Sequence, residues 1–300
     1  YVWFEAVQGY YSCARIWATR IASAAGHPDG EDAWKKWWQV SDTGESPKHI
    51  YFMGKDNIPF HTIIWPAIIM GLNASKSSEV SHLAGPGDLV LEDNVSANEY
   101  LMLQGGQFSK SRKHAVWLPS YLEQYDADSL RYYLSINMPE THDTDFRWDE
   151  YVDRVNNELI GTYGNFVHRV MTLAHRLECG EGNPLSKYDR FSDHSKILKE
   201  LDNQISSAIE SMEKQRFKEA LRSIMGIAQI GNSLLQEAAP WKYINEDESD
   251  ERSTSLSSLS LSWRICSCLA VCMRPFTPFS SDRLWAVSYT HLTLPTTPRV

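Results

Sequence analysis

The chain has 300 residues, of which 42% are hydrophobic and 22% are charged. This is the composition of a globular protein, it excludes a low-complexity chain, and the length allows two domains. The formal net charge of −9 repels phosphate overall, so any nucleic-acid partner must be held by local basic patches.

The first third of the chain is predicted to alternate strands, loops and helices. Residues 1–4 (YVWF) have the aromatic and β-branched content of a buried strand, and a helix follows as far as Gly26. A second strand is predicted at residues 49–54, with a helix at residues 60–70 behind it, and a third strand at residues 99–103. Such units build a parallel sheet, whose ligands collect at the carboxyl ends of the strands.

The remainder is predicted to be helical after an irregular acidic linker at residues 139–148. Apolar residues recur at spacings of three and four beyond Asp149, which is typical of amphipathic helices. Further helices are predicted at residues 195–212, 217–238 and 256–273. The fold class is therefore predicted to be α/β plus all-α.

Several segments of this helical part are predicted to lie outside its helices. Polar loops are expected at residues 180–183 and at the acidic, serine-rich residues 245–258. Helical periodicity is lost at Ala286, and residues 286–300 are crowded with Thr and Pro. This tail is predicted to be non-native.

Cysteine usage and hydropathy favour an intracellular protein. The five cysteines are an odd number without framework spacing, which indicates reduced thiols. Cys268 and Cys272 share a helical face and could ligate a metal, but buried thiols are favoured because no further Cys or His lies nearby on that face. No apolar run approaches a membrane span and no signal peptide is evident, so we expect a cytoplasmic protein that does not contact membranes.

The basic loop, residues 107–113 (QFSKSRK), follows two glycines and carries three cations and two hydroxyls. Lys110 and Arg112 could meet anionic oxygens while Ser109 and Ser111 add hydrogen bonds, an arrangement that suits a triphosphate. In isolation, such a segment is more often a solvated basic turn.

Two further groups of residues precede this loop. Asp56 could accept both hydroxyls of a ribose, and the neutral imidazole of His61 could face a polar group; the alternative is a capping Asp and a core His. Trp3, Ala6 and Tyr10 could form an apolar pocket in which the tyrosine hydroxyl is a polar handle, or they could simply be core residues.

In the helical part, Asn165 and Arg169 are four residues apart and would project together. An amide and a guanidinium on one helical face can bind the edge of an unpaired base and its phosphate. Trp241, which follows a predicted helix break, offers a ring on which a base could stack. Helix packing and surface exposure are alternative explanations for each of the three.

Taken together, these segments resemble class I aminoacyl-tRNA synthetases, and within that class the methionyl-tRNA synthetase family, from residue 1 to about residue 285. The FSKSR loop alone indicates only class I, whereas GKDNIPFHTIIWPA and YVWFEA indicate the methionyl branch. The other matching stretches are EYLMLQGGQFSKSR, DADSLRYYLSINMPETHDTDFRW, RVNNELIGTYGNFVHR and AAPW.

The resemblance implies a domain organisation. Residues 1–118 would be the second half of a Rossmann-type catalytic domain with a parallel sheet, and residues 119–150 a connecting, stem-contact segment. Residues 151–285 would be an α-helical anticodon-binding domain, followed by the non-native tail 286–300.

The resemblance also implies a role for each candidate residue. The methionine side chain would be bound by Trp3, Ala6, Tyr10, Asn57 and His61. ATP would be bound by Gly54, Asp56, Leu101 and Lys110. Among these, Asp56 would hold the ribose and Lys110 would be the catalytic group that stabilises the leaving pyrophosphate. The CAU anticodon would be recognised by Asn165, Arg169 and Trp241.

The implied reaction is the activation of methionine by ATP with Mg²⁺, followed by transfer to the 3′ end of tRNA(Met). Gln107 stands where the family's loop has its first lysine. The chain starts inside an apolar run with Tyr1, so the N-terminal half of the catalytic domain is expected to be missing, together with the HIGH motif and any zinc site. The chain alone is therefore expected not to catalyse adenylation. Alternatives are a non-catalytic tRNA-binding module and a class I synthetase for another apolar amino acid.

Overall fold

A computed structural model describes residues 2–75, 84–177, 185, 188–189, 191 and 194–290. The chain packs as two compact units: unit 1 comprises Tyr1–Tyr100 with Glu140–His142, and unit 2 comprises Leu101–Pro139 with Asp143–Val300. The basic loop therefore packs within unit 2, although the first domain was predicted to end at residue 118. Cys179, the predicted loop at residues 180–183 and the last ten residues of the tail lie outside the described residues.

Unit 1 contains short helices. Its α-helices are Val2–Ala6 (α1), Gly9–Trp17 (α2), Lys35–Trp38 (α3) and Trp65–Ala74 (α4). Its π-helical segments are Ala18–Ala22 and Phe60–Ile64, and its 3-10 turns are Gly30–Asp32 and Lys55–Asn57. The segment Phe60–Ile64 leads directly into α4, so the helix predicted at residues 60–70 is confirmed.

The strand predicted at residues 1–4 is wrong, because residues from Val2 onward are helical. Val2 is 77% exposed and Phe4 is 53% exposed, so their apolar content does not indicate a buried strand. A strand needs a neighbour to satisfy its backbone groups, whereas a helix satisfies them internally. Among the described residues, α1 packs against the helical segment Phe60–Ile64 and pairs with no strand.

Two parallel strands form the sheet of unit 1. Ile50–Gly54 (β1), predicted at residues 49–54, pairs with Asn94–Asn98 (β2) in a register that runs from Ile50 opposite Asn94 to Gly54 opposite Asn98. The polar sequence of β2 (NVSAN) gave no strand signal. This pairing places the residues that follow the two strands at the same edge of the sheet.

The third predicted strand does not join this sheet. Leu101–Leu103 (β3) pairs in parallel with Thr144–Phe146 (β4) inside unit 2. The irregular linker predicted at residues 139–148 therefore contains a strand. With only three residues, one of them an Asp that is disfavoured in strands, β4 has no readable period.

Aromatic side chains fill the core of unit 1. Trp65 is 1% exposed and donates a hydrogen bond from its indole Nε1 to the hydroxyl of Tyr51, at 2.9 Å. Trp38 meets the Trp65 ring edge-on with centroids 6.2 Å apart, and the His49 ring with centroids 4.8 Å apart. β1 contributes Tyr51 and α4 contributes Trp65 to this core, and Asp56 and His61 lie in the segment that connects these two elements.

Unit 2 is a helical bundle with a small sheet. Its helices are Leu118–Leu122 (α5), Ala127–Ile136 (α6), Trp148–Arg154 (α7), Asn165–Arg176 (α8), Ser195–Glu213 (α9), Phe217–Ala238 (α10), Asp250–Met273 (α11) and Pro278–Thr290 (α12). A π-helical stretch, Val155–Gly164, joins α7 to α8. The long helix α10 packs against both α9 and α11. Small parallel sheets and a mostly helical bundle confirm the predicted fold class, α/β plus all-α.

The serine-rich segment belongs to α11, so the loop predicted at residues 245–258 is wrong from residue 250 onward. Ser249 caps this helix, because its side chain accepts a hydrogen bond from the backbone N–H of Arg252 at 3.1 Å. Buried hydroxyls are satisfied by main-chain carbonyls: Ser262 donates to Ser258 at 2.8 Å and Ser255 to Ala238 at 2.7 Å. Serine is small enough to pack inside the bundle once its hydroxyl is bonded in this way.

The helix α11 is also long and apolar enough to cross a membrane by length and composition, with a mean hydropathy of 1.4, although no such run was predicted. In the described part of the chain, 72% of its apolar window is already buried against protein. That degree of burial is typical of a core helix.

The helix α12 continues past Trp285 to Thr290, so the predicted loss of helical structure at Ala286 is wrong for residues 286–290. Residues of α6 hold the beginning of α12 in place. The carboxylate of Asp128, 1% exposed, accepts hydrogen bonds from the backbone N–H groups of Ser280 at 2.6 Å and Phe279 at 3.4 Å. One turn later, Arg131 donates to the carbonyls of Pro275 and Phe276 at 2.8 Å and 3.1 Å.

Helices α8 and α10 approach each other closely at Gly231. A Cβ atom at Gly231 would lie 2.4 Å from the ring of Phe166, which is 0% exposed. We expect Gly231→Ala to lower the free energy of unfolding by about 1 to 3 kcal/mol, because the ring cannot move without repacking the core. Urea denaturation monitored by circular dichroism measures it.

Gly226→Ala, on the same helix, is the matched control. Its Cβ would meet only the side-chain amide of Gln204, at 3.0 Å, which can swing away. Alanine also favours a helix over glycine by about 1 kcal/mol, so the control should match or exceed the wild type in stability. Equal destabilisation by both substitutions would contradict the packing argument.

Candidate functional site

In unit 1, the side chains of Tyr10 and His61 meet next to the main-chain carbonyl of Asn57. Nδ1 of His61 lies 2.9 Å from the carbonyl oxygen of Asn57, and its Nε2 lies 3.0 Å from the hydroxyl of Tyr10. Because a carbonyl only accepts, the neutral ring must carry its proton on Nδ1, so that Nε2 accepts the tyrosine O–H. His61 is 6% exposed, and each of its two ring nitrogens has a hydrogen-bond partner.

The ring of Tyr51 packs against both members of this pair. The ring centroid of Tyr51 lies 5.5 Å from that of Tyr10 and 5.7 Å from that of His61. Burial raises the pKa of Tyr51 to about 12, so its hydroxyl stays neutral. The ring of Tyr10 is 46% exposed. The arrangement offers an open aromatic wall with one hydroxyl, which suits an apolar group that has few polar atoms.

The other two residues predicted for this pocket are less well defined. The side chain of Trp3 lies outside what the structure describes. Ala6 is exposed at the end of α1, whereas its neighbour Val7 is 3% exposed and packs in the core of unit 1. A role for Trp3 and Ala6 in binding therefore stays a prediction.

A half-buried carboxyl group near this pocket, that of Glu92, was not predicted. Burial raises the pKa of Glu92, and the positive charges that His61 and His49 can carry partly oppose this increase. Its Oε2 is buried without a hydrogen-bond partner among the described residues, as is Nδ1 of His49. Glu92 lies in a polar run, LEDN, that reads as an exposed loop, so the sequence gave no signal of its burial.

The residues that follow β1 and β2 form a second group in unit 1. Gly54 ends β1, and the exposed Asp56 accepts a hydrogen bond from the hydroxyl of Tyr100. Lys55 forms an ion pair with Glu99, and its Nζ lies 4.4 Å from the ring centroid of Tyr100. The sequence predicted Asp56 and Gly54 as site residues but missed the residues that hold Asp56.

The basic loop of unit 2 is a closed turn. Ser109 and His114 exchange two backbone hydrogen bonds of 2.9 Å. The carboxylate of Asp145 accepts the backbone N–H of Gly105, at 2.9 and 3.0 Å, which anchors the turn before the loop. Lys110 is exposed on the tip, and it forms no ion pair in the described part of the chain. Leu101, predicted to contact ATP, lies half-buried in β3.

Two of the three predicted anticodon residues are in contact. The guanidinium carbon of Arg169 lies 5.2 Å from the ring centroid of Trp241, and Nη2 of Arg169 donates to Oε1 of Gln236 at 3.2 Å. Trp241 follows the predicted helix break, where Ala239 adopts a left-handed φ of 42°. Asn165 begins α8, one turn before Arg169, and lines a separate cavity of about 810 Å³.

The thiols of Cys268 and Cys272 lie 3.8 Å apart on α11. Among the described residues, no group of three or more His, Cys, Asp or Glu side chains is placed to hold a metal ion.

Comparison with protein families identifies both parts of the chain. Residues 1–171 match the family model described as tRNA synthetases class I (M). Residues 189–296 match the model described as the anticodon binding domain of methionyl tRNA ligase.

Curated relatives and solved structures agree. The chain is 40% identical over 285 residues to the methionine–tRNA ligase of Roseiflexus sp. (strain RS-1), a match that covers 95% of this chain and 43% of that protein. It is 38% identical over 288 residues to the methionine–tRNA ligase of Pyrococcus horikoshii, covering 95% and 37%. The chain thus spans less than half the length of these relatives.

The fold is similar to that of the Mycobacterium tuberculosis methionyl-tRNA synthetase in complex with methionyl-adenylate. The TM-score is 0.69 with 19% identity, and the match covers 99% of this chain and 53% of that chain. Family models, relatives and fold agree with the resemblance seen in the sequence, and the chain belongs to the methionyl branch of the class I tRNA synthetases.

Proposed function

We propose that this chain serves in the ligation of methionine to tRNA: ATP activates methionine as methionyl-adenylate, and the methionyl group passes to the 3′ end of tRNA(Met). The observation that carries the proposal is the buried His61 with Tyr10 hydrogen-bonded to it, within a chain of this family. Because the chain spans less than half of its curated relatives, the activity is proposed for a full-length protein that contains it.

Methionine selection is proposed to rest on shape and aromatic contact. A thioether has few atoms that form hydrogen bonds, so a pocket must select it mainly by its fit to apolar and aromatic walls. Tyr10 and His61 provide such a wall, and the hydroxyl of Tyr10 is its polar group. Asn57 contributes the carbonyl that orients His61, and Trp3 and Ala6 are proposed to complete the pocket.

ATP is proposed to bind at the ends of the strands. Gly54 and Leu101 would contact adenosine, and the Asp56 carboxylate would accept the ribose hydroxyls. Lys110 would stabilise the charge that develops on the leaving pyrophosphate. Its exposure and lack of an ion pair among the described residues leave its ammonium group ready to bind phosphate. Mg²⁺ would enter with ATP as the counter-ion of its phosphates.

The tRNA is proposed to bind unit 2 through its anticodon. Trp241 is 38% exposed and lies next to Arg169, and both planar groups can stack on an unpaired base. Asn165 would add base-edge hydrogen bonds.

A cytoplasmic location belongs to the same proposal. Neither a tRNA-binding module without catalysis nor a synthetase for another amino acid is supported by the matches.

Substrate choice tests the proposal directly. We expect a full-length protein that contains this chain to exchange pyrophosphate into ATP with methionine in preference to leucine, isoleucine and valine. The physical reason is the aromatic pocket, which suits an unbranched thioether better than a branched side chain. A preference for any of the three other amino acids would refute the proposed substrate.

Lys110→Ala in such a full-length protein should slow adenylation by about 10²-fold and leave methionine affinity nearly unchanged, because the lysine acts on the transition state. Single-turnover kinetics and methionine titration separate the two effects. Lys113→Gln, in the same exposed turn, is the matched control and should retain most of the rate. Equal losses of rate and methionine affinity in Lys110→Ala would show that the lysine is not a transition-state group.

Trp241→Ala should weaken binding of a tRNA with a CAU anticodon by about 1 to 3 kcal/mol if a base stacks on the ring. Filter binding with this chain measures the affinity, with a tRNA of altered anticodon for comparison. Trp37→Ala, which removes a 56% exposed tryptophan from unit 1, is the control and should change nothing. Undiminished affinity in a folded Trp241→Ala variant would remove this residue from the anticodon site.

A further inference from the structure

Side-chain contacts continue the register of the β1–β2 pair beyond the ends of the two strands. Gly54 lies opposite Asn98 at the end of the ladder. Continuing the count brings Lys55 opposite Glu99, which form an ion pair, and Asp56 opposite Tyr100, which form a hydrogen bond. Two side-chain pairs therefore continue the parallel ladder over the edge of the sheet where its ligands are expected.

The two pairs also contact each other. Nζ of Lys55 lies 4.4 Å from the ring centroid of Tyr100, within the range of a cation–π interaction. Lys55 and Glu99 are each about one-third exposed, at 34% and 32%. Glu99 thus neutralises the ammonium group of Lys55, the residue that precedes Asp56. Among the residues that the structure describes, Asp56 accordingly forms no ion pair.

Asp56 keeps most of its accepting capacity. An ionised carboxylate has about four lone-pair sites on its two oxygens, and the Tyr100 hydroxyl occupies one of them, on Oδ2. The residue is exposed, so the remaining sites face solvent. A carboxylate that is held by one hydroxyl and free of cations suits a ligand that brings two more neutral hydroxyls, such as a vicinal diol.

We propose that Tyr100 is a positioning residue that orients the Asp56 carboxylate for the vicinal diol of a ribose, and that the Lys55–Glu99 ion pair holds the Tyr100 ring in place. This inference rests on the proposed function, in which Asp56 binds the ribose of ATP. Hydrogen bonds from hydroxyls to a carboxylate are short and strong, so fixing the carboxylate plane before binding lowers the entropy lost when the diol binds.

The test uses this chain with two nucleosides, adenosine and 2′,3′-dideoxyadenosine, whose difference is the diol. Isothermal titration calorimetry gives the ratio of their dissociation constants for the wild type, Tyr100→Phe, Asp56→Asn and the double variant. Tyr11→Phe is the matched control in unit 1, because the ring of Tyr11 packs on Trp34 while its hydroxyl has no hydrogen-bond partner among the described residues.

We expect the wild type to bind adenosine more tightly than the dideoxy nucleoside. Tyr100→Phe should lower that preference about five- to tenfold by weakening adenosine binding only. Asp56→Asn should remove most of the preference, and the double variant should resemble Asp56→Asn, because both residues act through one carboxylate. Tyr11→Phe should keep the wild-type ratio.

Two results would overturn the role of Tyr100 alone, and a third would refute the proposed ribose site as well. A wild-type preference that survives Tyr100→Phe, or an equal loss of both nucleosides, would leave Asp56 as the ribose group but deny Tyr100 its positioning role. A wild type that does not discriminate between the nucleosides would refute ribose binding at Asp56, and the role of Tyr100 with it.

Discussion

The parallel pairing of β1 with β2 is the constraint on which the candidate nucleotide site depends. Its register carries Lys55 and Asp56 past one strand end and Glu99 and Tyr100 past the other, so that each residue meets a partner. A shift of the register by one residue would place a different residue opposite Asp56. It would also turn the side chains of the shifted strand to the other face of the sheet. Backbone hydrogen bonds thus set the positions of side chains that belong to neither strand.

The pocket around His61 shows the same dependence on scaffold. The turn at Asn57 supplies the carbonyl that fixes the imidazole proton, and the helix behind it orients the ring towards Tyr10. The buried Trp65 supports Tyr51 by a hydrogen bond, and Tyr51 in turn forms the aromatic floor. The carbonyl of Asn57 and the indole of Trp65 thus hold His61 and Tyr51 in place before a ligand arrives.

In unit 2, packing rather than pairing sets the geometry. Helices α8 and α10 approach so closely at Gly231 that the Phe166 ring fills the space of a side chain. The end of α10, with the left-handed Ala239, turns the chain so that Trp241 reaches Arg169 on α8. A tight helix crossing and a sharp helix end together bring an indole and a guanidinium into contact from positions 72 residues apart in the chain, as their numbers show.

The sequence by itself determined the family, the fold class and most helices, because motif residues and apolar spacing are local properties of the chain. It also singled out Asp56, His61, Arg169 and Trp241. Only the tertiary structure decided that residues 2–6 form a helix, that NVSAN and TDF are strands, and that the serine-rich segment is buried. These outcomes depend on which partner each segment finds, as do the contacts of Tyr100 and Glu92, and a partner distant in sequence leaves no local signal.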